Sequence, residues 1–248
     1  MTDLFRAYSA RLLRHKMFIG GTILAFIITY YFTANGTTIH EFGDYQSDFD
    51  YSLTVSIGIP AFFSLFIPFF LGAEYTDGTV RNKLAAGKTR TDLYAASFAA
   101  MALALVIMTA AWLAGALIGA NTLPDAGEIV LNTVKLLVYN LAVIALLVML
   151  SMMITKQSAS IVIQFTIFQM SAFAALTFQG LMTVTEGKRY EVLKFLLNFD
   201  PYGQWLTASQ IGDKVCMMSA GTQMGFSLFI AVVLTAAGVI MLQKKDIK

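Results

Sequence analysis

The sequence predicts an all-α membrane protein, a single domain over residues 1–248 in which six helices cross a lipid bilayer. Of the 248 residues, 57% are hydrophobic and 13% are charged, whereas soluble domains average about 45–50% apolar and about 25% charged residues. Because so few charged side chains cannot cover a water-facing surface, lipid must be the solvent for much of the chain. The sequence also contains six separate apolar runs, and its basic residues are concentrated in alternate connections between them.

The six apolar runs are long enough to span a membrane, since a spanning helix needs about 20 mostly apolar residues. They cover residues 17–34, 53–73, 93–119, 133–154, 160–183 and 222–242. Pro60 and Pro68 in the second run predict a kink. Ala111, Gly115 and Gly119 in the third run are spaced four apart, which predicts close packing against another helix.

The distribution of Lys and Arg predicts that both termini face the cytoplasm. With that orientation, most of the 17 basic residues lie in cytoplasmic segments, whereas the first outer loop contains acidic residues and no Lys or Arg. The acidic residues of this loop and the start of the second run are Glu41, Asp44, Asp48 and Asp50. Asp44, Asp48 and Asp50 could bind a cation loosely, but a solvated anionic loop is the favoured interpretation.

The segment before the first run, residues 2–16, has the pattern of an amphipathic helix. Leu4, Phe5, Tyr8 and Leu12 fall on one helical stripe, and most of the arginines fall off it. Such a helix would lie at the membrane interface with its cations near anionic headgroups. The alternative is a charged leader that only satisfies the positive-inside rule.

The connection at residues 74–92 is the most charge-dense part of the chain, and it predicts a short helix on the cytoplasmic side. Thr79 could cap this helix, and Gly87 could end it. Thr89 or Thr91 could cap the third spanning helix.

The last connection, residues 184–221, is too apolar for a solvated loop and too short to span the bilayer. Pro201 and Gly203 interrupt it. This pattern predicts a pair of re-entrant or interfacial helices over residues 186–215, which membrane depth allows only where protein covers the free backbone groups.

Four side chains of the fifth run are candidates for a substrate path: Gln164, Gln169, Phe173 and Phe178. Polar residues in a bilayer face other helices or a cavity. For the glutamines, interhelical hydrogen bonding is the alternative, and aromatic residues at helical spacing more often pack in a core. The centres of the six runs contain no Asp or Glu, which argues against a proton-coupled carrier.

The sequence does not predict an enzyme, and it contains no candidate catalytic residue or metal cluster. Cys216 is the single cysteine, and His15 and His40 lack the spacing of a metal site. Gly87-Lys88-Thr89 matches the end of a P-loop, but that motif needs a glycine at the position of Asn82 and a preceding hydrophobic strand. Neither nucleotide nor nucleic-acid binding is therefore expected of this chain.

Residues 72–94 contain a pattern that resembles the first cytoplasmic loop of type-2 ABC transporter permeases. The residues that carry the resemblance are Gly72-Ala73-Glu74-Tyr75-Thr76-Asp77-Gly78-Thr79-Val80-Arg81-Asn82-Lys83-Leu84, then Gly87 and Arg90. The six-run layout, the amphipathic leader and the basic tail are similar to the same family along the whole chain. In size and loop pattern the chain is also similar to permeases of bacteriocin and lantibiotic export or self-immunity.

This resemblance implies a permease subunit of an ATP-driven exporter in a bacterial cell membrane, moving an amphipathic or lipid-like substrate such as a peptide. Two permeases, identical or different, would pair, and each would dock a separate cytosolic ATPase that holds the ATP and magnesium. The leader would be the elbow helix, and residues 186–215 would line the outer gate. A short helix near residues 77–86 would be the coupling helix, with Gly78 allowing its tight entry.

The residues that the resemblance assigns to ATPase coupling are Glu74, Tyr75, Asp77, Gly78, Thr79, Arg81, Lys83, Leu84, Gly87 and Arg90. Of these, Glu74 and Arg81 would anchor or contact the ATPase. The alternative function is a non-transporting membrane sensor, scaffold or immunity protein that binds a toxic peptide. A secondary carrier is disfavoured because the sequence shows no internal repeat.

Overall fold

The structure is a computed structural model that describes residues 1–35, 47–209 and 218–245. Within these ranges the chain forms eleven helices. They are α1 (Thr2–Leu13), α2 (Lys16–Ala34), α3 (Asp48–Val55), α4 (Gly58–Thr76), α5 (Thr79–Ala85), α6 (Arg90–Gly119), α7 (Ala126–Met153), α8 (Gln157–Met182), α9 (Lys188–Phe199), α10 (Pro201–Ala208) and α11 (Ala220–Lys244). The all-α prediction is therefore confirmed for the described residues.

Six helical segments of the described chain are long and apolar enough to cross a membrane: α2, α3 with α4, α6, α7, α8 and α11. They overlap the six predicted runs, so the chain is a multi-pass membrane protein. The largest shift of a single boundary is at α7, which begins at Ala126 rather than at residue 133. Its first turns include Glu128 and Lys135, whose charge lowered the hydropathy there without preventing helix formation.

The second spanning segment is broken in front of Pro60. Because proline has no N–H, the Ser56 carbonyl cannot receive the usual helical bond from residue 60, and it accepts one from Ile59 N at 3.0 Å instead. The predicted kink is therefore a break at Ser56–Ile57, whereas Pro68 lies inside the continuous helix α4.

Both tryptophans of the chain donate hydrogen bonds to this break. Trp112 Nε1 of α6 donates to the Ser52 carbonyl at 2.9 Å, and Trp205 Nε1 of α10 donates to the Leu53 carbonyl at 3.0 Å. Trp205 also donates to Ser56 Oγ at 2.9 Å. Carbonyls at a helix end need such partners when water is excluded. Side chains of α6 and α10 thus provide hydrogen-bond donors to the carbonyls beside the break.

The predicted small-residue packing of the third run is confirmed at two glycines, which face α2. A Cβ atom added to Gly115 would lie 2.7 Å from the Phe26 carbonyl, and one added to Gly119 would lie 2.7 Å from the Tyr30 carbonyl. Glycine at these positions lets the backbones of α2 and α6 approach each other closely.

The two ends of the bundle have different components. Helices α1 and α5 lie at one end, together with the ends of α4, α7 and α11 and the start of α6; we call this the α5 end. The opposite end carries α3, α9 and α10, and we call it the α10 end. The apolar stripe of α1 packs on the bundle rather than standing free, since Leu4, Tyr8 and Leu12 are buried in the main core.

At the α10 end, two short helices, α9 and α10, lie within the predicted range, and the chain turns between them at Asp200. The Asp200 side chain caps α10 by accepting from Gly203 N at 3.1 Å. Gln223 of α11 holds the pair to the bundle through hydrogen bonds to Asn198 Oδ1 and Thr207 Oγ1. The part of the prediction over residues 210–215 lies outside the described residues, as do His40, Glu41, Asp44 and Cys216.

The expectation of a solvated anionic loop is wrong for Asp48 and Asp50, which are each 4% exposed. The Asp48 carboxylate accepts hydrogen bonds from Asn121 N at 3.1 Å and Thr122 N at 3.2 Å. Asp50 lies in the first turn of α3, whose cap residue Ser47 accepts from Asp50 N. The Asp48 carboxylate thus secures the start of α3 to the connection between α6 and α7.

Candidate functional site at the α5 end of the bundle

Helix α5 is a seven-residue element set between two left-handed glycines. Gly78 precedes it with φ of 66°, a conformation that favours glycine. Thr79 is the first helical residue and not the cap, so the predicted capping role is wrong. Gly87, with φ of 82°, ends the helix as predicted. Gly87 N donates to the Leu84 carbonyl and Lys88 N donates to the Lys83 carbonyl, and these two hydrogen bonds form a Schellman motif.

The start of α6 follows at once and is capped by Thr89, one of the two residues predicted for this role. Thr89 Oγ1 accepts from Asp92 N at 3.0 Å. Lys88 Nζ donates to the exposed Asp3 carboxylate of α1 at 3.3 Å. The residues that resemble a P-loop end therefore form a tight turn between two helices.

Glu74, in the last turn of α4, is the centre of this site. Its side chain is 2% exposed, and its two oxygens accept three hydrogen bonds. The donors are Tyr8 Oη at 2.6 Å, Arg11 Nη1 at 2.6 Å and Lys83 Nζ at 2.8 Å. A buried carboxylate is tolerated when it is paired and hydrogen-bonded in this way. One side chain of α4 thus fastens α1 and α5 to the bundle.

The three donors also contact one another and their surroundings. Lys83 Nζ lies 4.1 Å from the centre of the Tyr8 ring and donates to Tyr8 Oη at 3.0 Å. The Arg11 guanidinium lies 3.9 Å from the centre of the Phe70 ring and donates to the Phe70 carbonyl. Burial, and then the negative charge of Glu74, raise the pKa of Tyr8, so its phenol stays protonated as a donor.

Tyr75, the neighbour of Glu74, makes a second set of contacts. Its hydroxyl donates to the Met152 carbonyl at the end of α7 at 2.7 Å. Lys245 Nζ donates to the same carbonyl at 2.7 Å and lies 4.3 Å from the centre of the Tyr75 ring. Burial lowers the pKa of Lys245 to about 8. Glu74 and Tyr75 together connect α4 to α1, α5, α7 and the segment after α11.

Arg90 faces the bundle rather than α5. Its Nη1 donates to the carbonyls of Leu242 at 3.1 Å and Gln243 at 2.7 Å, in the last turn of α11, and also to the Lys245 carbonyl. A cation at a helix carboxyl end satisfies free carbonyls and complements the helix dipole. The structure thus gives Arg90 an intramolecular role.

The remaining residues of this end divide into two faces of α5. Val80 is 1% exposed and Leu84 is half-buried against the core, so both point inward beside Lys83. Within residues 77–86, the exposed side chains are Asp77, Arg81, Asn82, Ala85 and Ala86. Arg81, Asn82 and Ala85 lie within about one turn of each other, so they share one face. The exposed face of α5 therefore carries Arg81 beside Asn82 and Ala85.

Sequence reasoning identified Glu74, Tyr75 and Lys83 but missed Tyr8, Arg11, Met152 and Lys245 as their partners. Tyr8 was placed on the apolar stripe of α1, and Arg11, three residues later, lies on the same side of that helix. This spacing is the one local signal that could have paired them. Nothing near Met152 in the sequence marks it, because its backbone carbonyl makes the contact.

The four residues predicted for a substrate path do not share a surface. Gln164 is buried and donates to Ser151 Oγ of α7 at 2.8 Å, which agrees with interhelical hydrogen bonding. Gln169 and Phe173 are exposed on α8, and Phe178 packs in the small core formed with α9 and α10. Among the described residues, no group of three His, Cys, Asp or Glu could hold a metal ion.

A family model described as "Protein of unknown function (DUF2705)" matches residues 12–248, a range that includes Glu74, Tyr75, α5 and Lys245. No curated protein matches the sequence.

Proposed function

The chain belongs to the DUF2705 family, whose description assigns no function, and we propose that it is the membrane-spanning permease subunit of an ATP-driven exporter. In this proposal α5 is the coupling helix, which docks a separate cytosolic ATPase. The observation that carries the proposal is that buried Glu74 fastens α5 and α1 to the end of α4 while Arg81 stays exposed on α5.

The fastening matters because α5 is too short to hold its shape alone. An isolated helix of seven residues is unstable in water. Lys83 of α5 donates a charge-assisted hydrogen bond to the buried Glu74 carboxylate, which also accepts from Tyr8 and Arg11 of α1. The bond from Lys83 fixes the position of α5 relative to α4. A force applied to α5 would then reach α4, a continuous helix of 19 residues and about 28 Å. Such a connection lets the nucleotide state of a docked subunit bias the conformation of the membrane helices.

The charge of the α5 end supports its cytoplasmic placement in a bacterial cell membrane. Basic residues are concentrated there, as expected of cytoplasmic loops under the positive-inside rule. They are Arg6, Arg11, Arg14, Lys16, Arg81, Lys83, Lys88, Arg90, Lys156, Lys244 and Lys245. Both termini would then be cytoplasmic. Arg6 and Arg14 are exposed on the side of α1 away from the bundle, which suits the elbow helix of such a permease at anionic headgroups.

In the same proposal, α9 and α10 are the half-buried pair at the outer gate, and a second permease pairs with this one. The substrate would be amphipathic or lipid-like, such as a peptide. The ATP and magnesium would be held by the partner ATPase. Buried hydrogen bonds join α10 to α9 through Gln204 and join the pair to α11 through Gln223 and Ser227. They support the placement of the pair at membrane depth, where backbone and side-chain polar groups need protein partners.

The test is the exchange Arg81→Glu, with Arg189→Glu at the exposed start of α9 as the matched control. The chain is produced together with the proteins encoded beside it, and the recovered complex is assayed for ATP hydrolysis. We expect an ATP-binding subunit to copurify with the wild type and the control. Arg81→Glu should keep the thermal stability of the chain but lower copurification and hydrolysis by at least tenfold.

Failure to recover any ATP-binding subunit, or a fully assembled and active Arg81→Glu complex, would contradict the proposal. If the chain protects cells from a toxic peptide even when the ATPase is catalytically inactive, the non-transporting function is favoured instead.

A further inference from the structure

A cavity of about 150 Å³ lies beside the break in the second spanning segment, between α2, α4 and α6. Its walls include Leu24, Ile28, Phe62 and Trp112, with Gly58 at the break itself. Since the volume is far larger than one methyl group, packing alone does not explain why the core leaves it open.

The polar groups at the break do not make this cavity a water site. Trp112 donates its indole N–H to the Ser52 carbonyl, which is not part of the cavity wall. Ser56 Oγ donates to the Leu53 carbonyl and accepts from Trp205. A buried water needs two to four polar partners. These two groups are already engaged, and the hydroxyl of Thr29, the remaining polar side chain of the wall, supplies at most one partner. A cavity of this size with aliphatic and aromatic walls holds an apolar molecule of about six carbon atoms.

The cavity is reachable from the surface of the bundle that faces hydrocarbon. Leu24, which lines it, is 56% exposed on α2. Leu24 and Ile28 lie 8 and 12 residues after the first residue of α2, or about 12 and about 18 Å along the helix. Both positions are within the roughly 30 Å hydrocarbon layer. At that depth, acyl chains are the apolar groups present at high concentration.

We propose that this cavity binds part of one acyl chain of a bilayer lipid. The bound chain fills the space between α2 and the break, and it holds α3 and α4 at their observed angle. The lipid is then a structural component of the region around the break. This inference requires only that the chain spans a membrane, and it does not depend on the proposed transport function.

Tryptophan fluorescence tests this inference, because Trp112 lines the cavity and is otherwise 1% exposed. In the variant Trp205→Phe it is the single tryptophan of the chain. This variant is placed in vesicles of phosphatidylcholine whose acyl chains carry bromine near their middle, since bromine quenches tryptophan on contact. We expect the bromolipid to quench Trp112 by at least half.

The second arm fills the cavity. A Cβ atom added at Gly58 meets nothing within 4 Å, so Gly58→Leu can occupy the space and should reduce bromolipid quenching at least twofold. Gly20→Leu is the matched control, because Gly20 is also free of neighbours within 4 Å but does not line the cavity. It should leave quenching unchanged.

Gly58→Leu and Gly20→Leu are also compared in chains that retain Trp205, as a control for any change of fold caused by Trp205→Phe. Gly58→Leu should again lower the quenched fraction there, and the circular dichroism of each variant checks its helix content. The inference is overturned if Trp112 escapes bromolipid quenching, if Gly58→Leu is quenched as strongly as the control, or if only a water-soluble quencher reaches Trp112.

Discussion

The Tyr8 hydroxyl donates a 2.6 Å hydrogen bond to the buried Glu74 carboxylate, and 66 positions in the sequence separate the two residues. The bond joins α1, which precedes the first spanning helix, to the end of the second. Lys83 contacts both partners from α5. Helix α1 and the consecutive helices α4 and α5 thus behave as one unit, whose stiffness depends on a single carboxylate.

A double-mutant cycle of Tyr8→Phe and Glu74→Gln measures this coupling. Tyr8→Phe removes one of three donors and should cost about 1–2 kcal/mol in the free energy of unfolding. Glu74→Gln leaves Arg11 and Lys83 without a negative partner and should cost about 2–3 kcal/mol. Because the two residues share a contact, the double variant should lose about 0.5–2 kcal/mol less unfolding free energy than the two single variants lose together. Denaturant unfolding in detergent micelles provides the values.

The control for this cycle is Tyr31→Phe, which removes a hydroxyl from a ring that is exposed on α2. It should change stability by less than about 0.5 kcal/mol. Strictly additive costs for Tyr8→Phe and Glu74→Gln would show that the observed bond does not couple α1 to α4.

Local patterns predicted the elements of this fold better than their partners. Apolar run length identified the six spanning segments, and the spacing of Leu4, Tyr8 and Leu12 gave the buried side of α1. Glu74 was identified from its motif, but its donors lie in segments whose approach depends on the packing of the whole bundle. Periodicity carries no information on such long-range pairs.

The second spanning segment shows the same limit. Pro60 correctly indicated an irregular helix, because a missing N–H is a local property. The side chains that donate to the carbonyls beside the break, Trp112 and Trp205, lie on α6 and α10, and no local pattern pairs them with it. The sequence likewise leaves the role of Gln164 open, because its hydrogen-bond partner, Ser151, lies on another helix, α7.

The packing of α2 on α6 predicts a strong effect of Gly115→Leu. The added side chain would meet the Phe26 carbonyl and the Thr29 side chain of α2. Since a helix backbone cannot yield as a flexible side chain does, the two helices must separate, at a cost of about 1–3 kcal/mol or more. Thermal unfolding in detergent should show a lower midpoint, and a cysteine pair across α2 and α6 should crosslink less efficiently.

Gly225→Leu is the control for this change, because Gly225 of α11 is exposed and has nothing within 4 Å of an added Cβ. Its midpoint should stay close to that of the wild type. Equal midpoints for the two variants would contradict the close approach of α2 and α6.

At the α10 end, Gln223→Met should loosen the attachment of α9 and α10. The Gln223 amide accepts from Tyr139 Oη at 2.7 Å and donates to Asn198 at 2.6 Å and to Thr207 at 2.9 Å. Interhelical hydrogen bonds in membrane proteins average about 0.6 kcal/mol each, so the loss should be about 2 kcal/mol. Faster hydrogen exchange of α9 and α10 would report the loosening directly.

Gln169→Met is the matched control, since Gln169 is exposed on α8. This variant should leave the exchange of α9 and α10 at the wild-type rate. Unchanged exchange in Gln223→Met would show that apolar packing alone, such as that of Leu197 and Leu206, holds the pair in place.

Lys245 gives the α5 end a pH dependence whose sign follows from its pKa. Burial lowers this pKa from 10.5 to about 8, so between pH 8 and 10.5 the unfolded chain holds a proton on Lys245 that the folded chain has released. Stability rises with pH wherever the unfolded state binds more protons. The unfolding midpoint of the wild type, measured in detergent relative to Lys245→Met, should therefore be constant from pH 6 to 7.5 and increase between pH 8 and 10.5. The Tyr75 ring and the Met152 carbonyl both favour the charged amine.

The contrary outcome is a difference in unfolding midpoint, wild type against Lys245→Met, that stays constant or decreases between pH 8 and 10.5. It would mean that these two contacts outweigh burial and that Lys245 binds Met152 as a full cation.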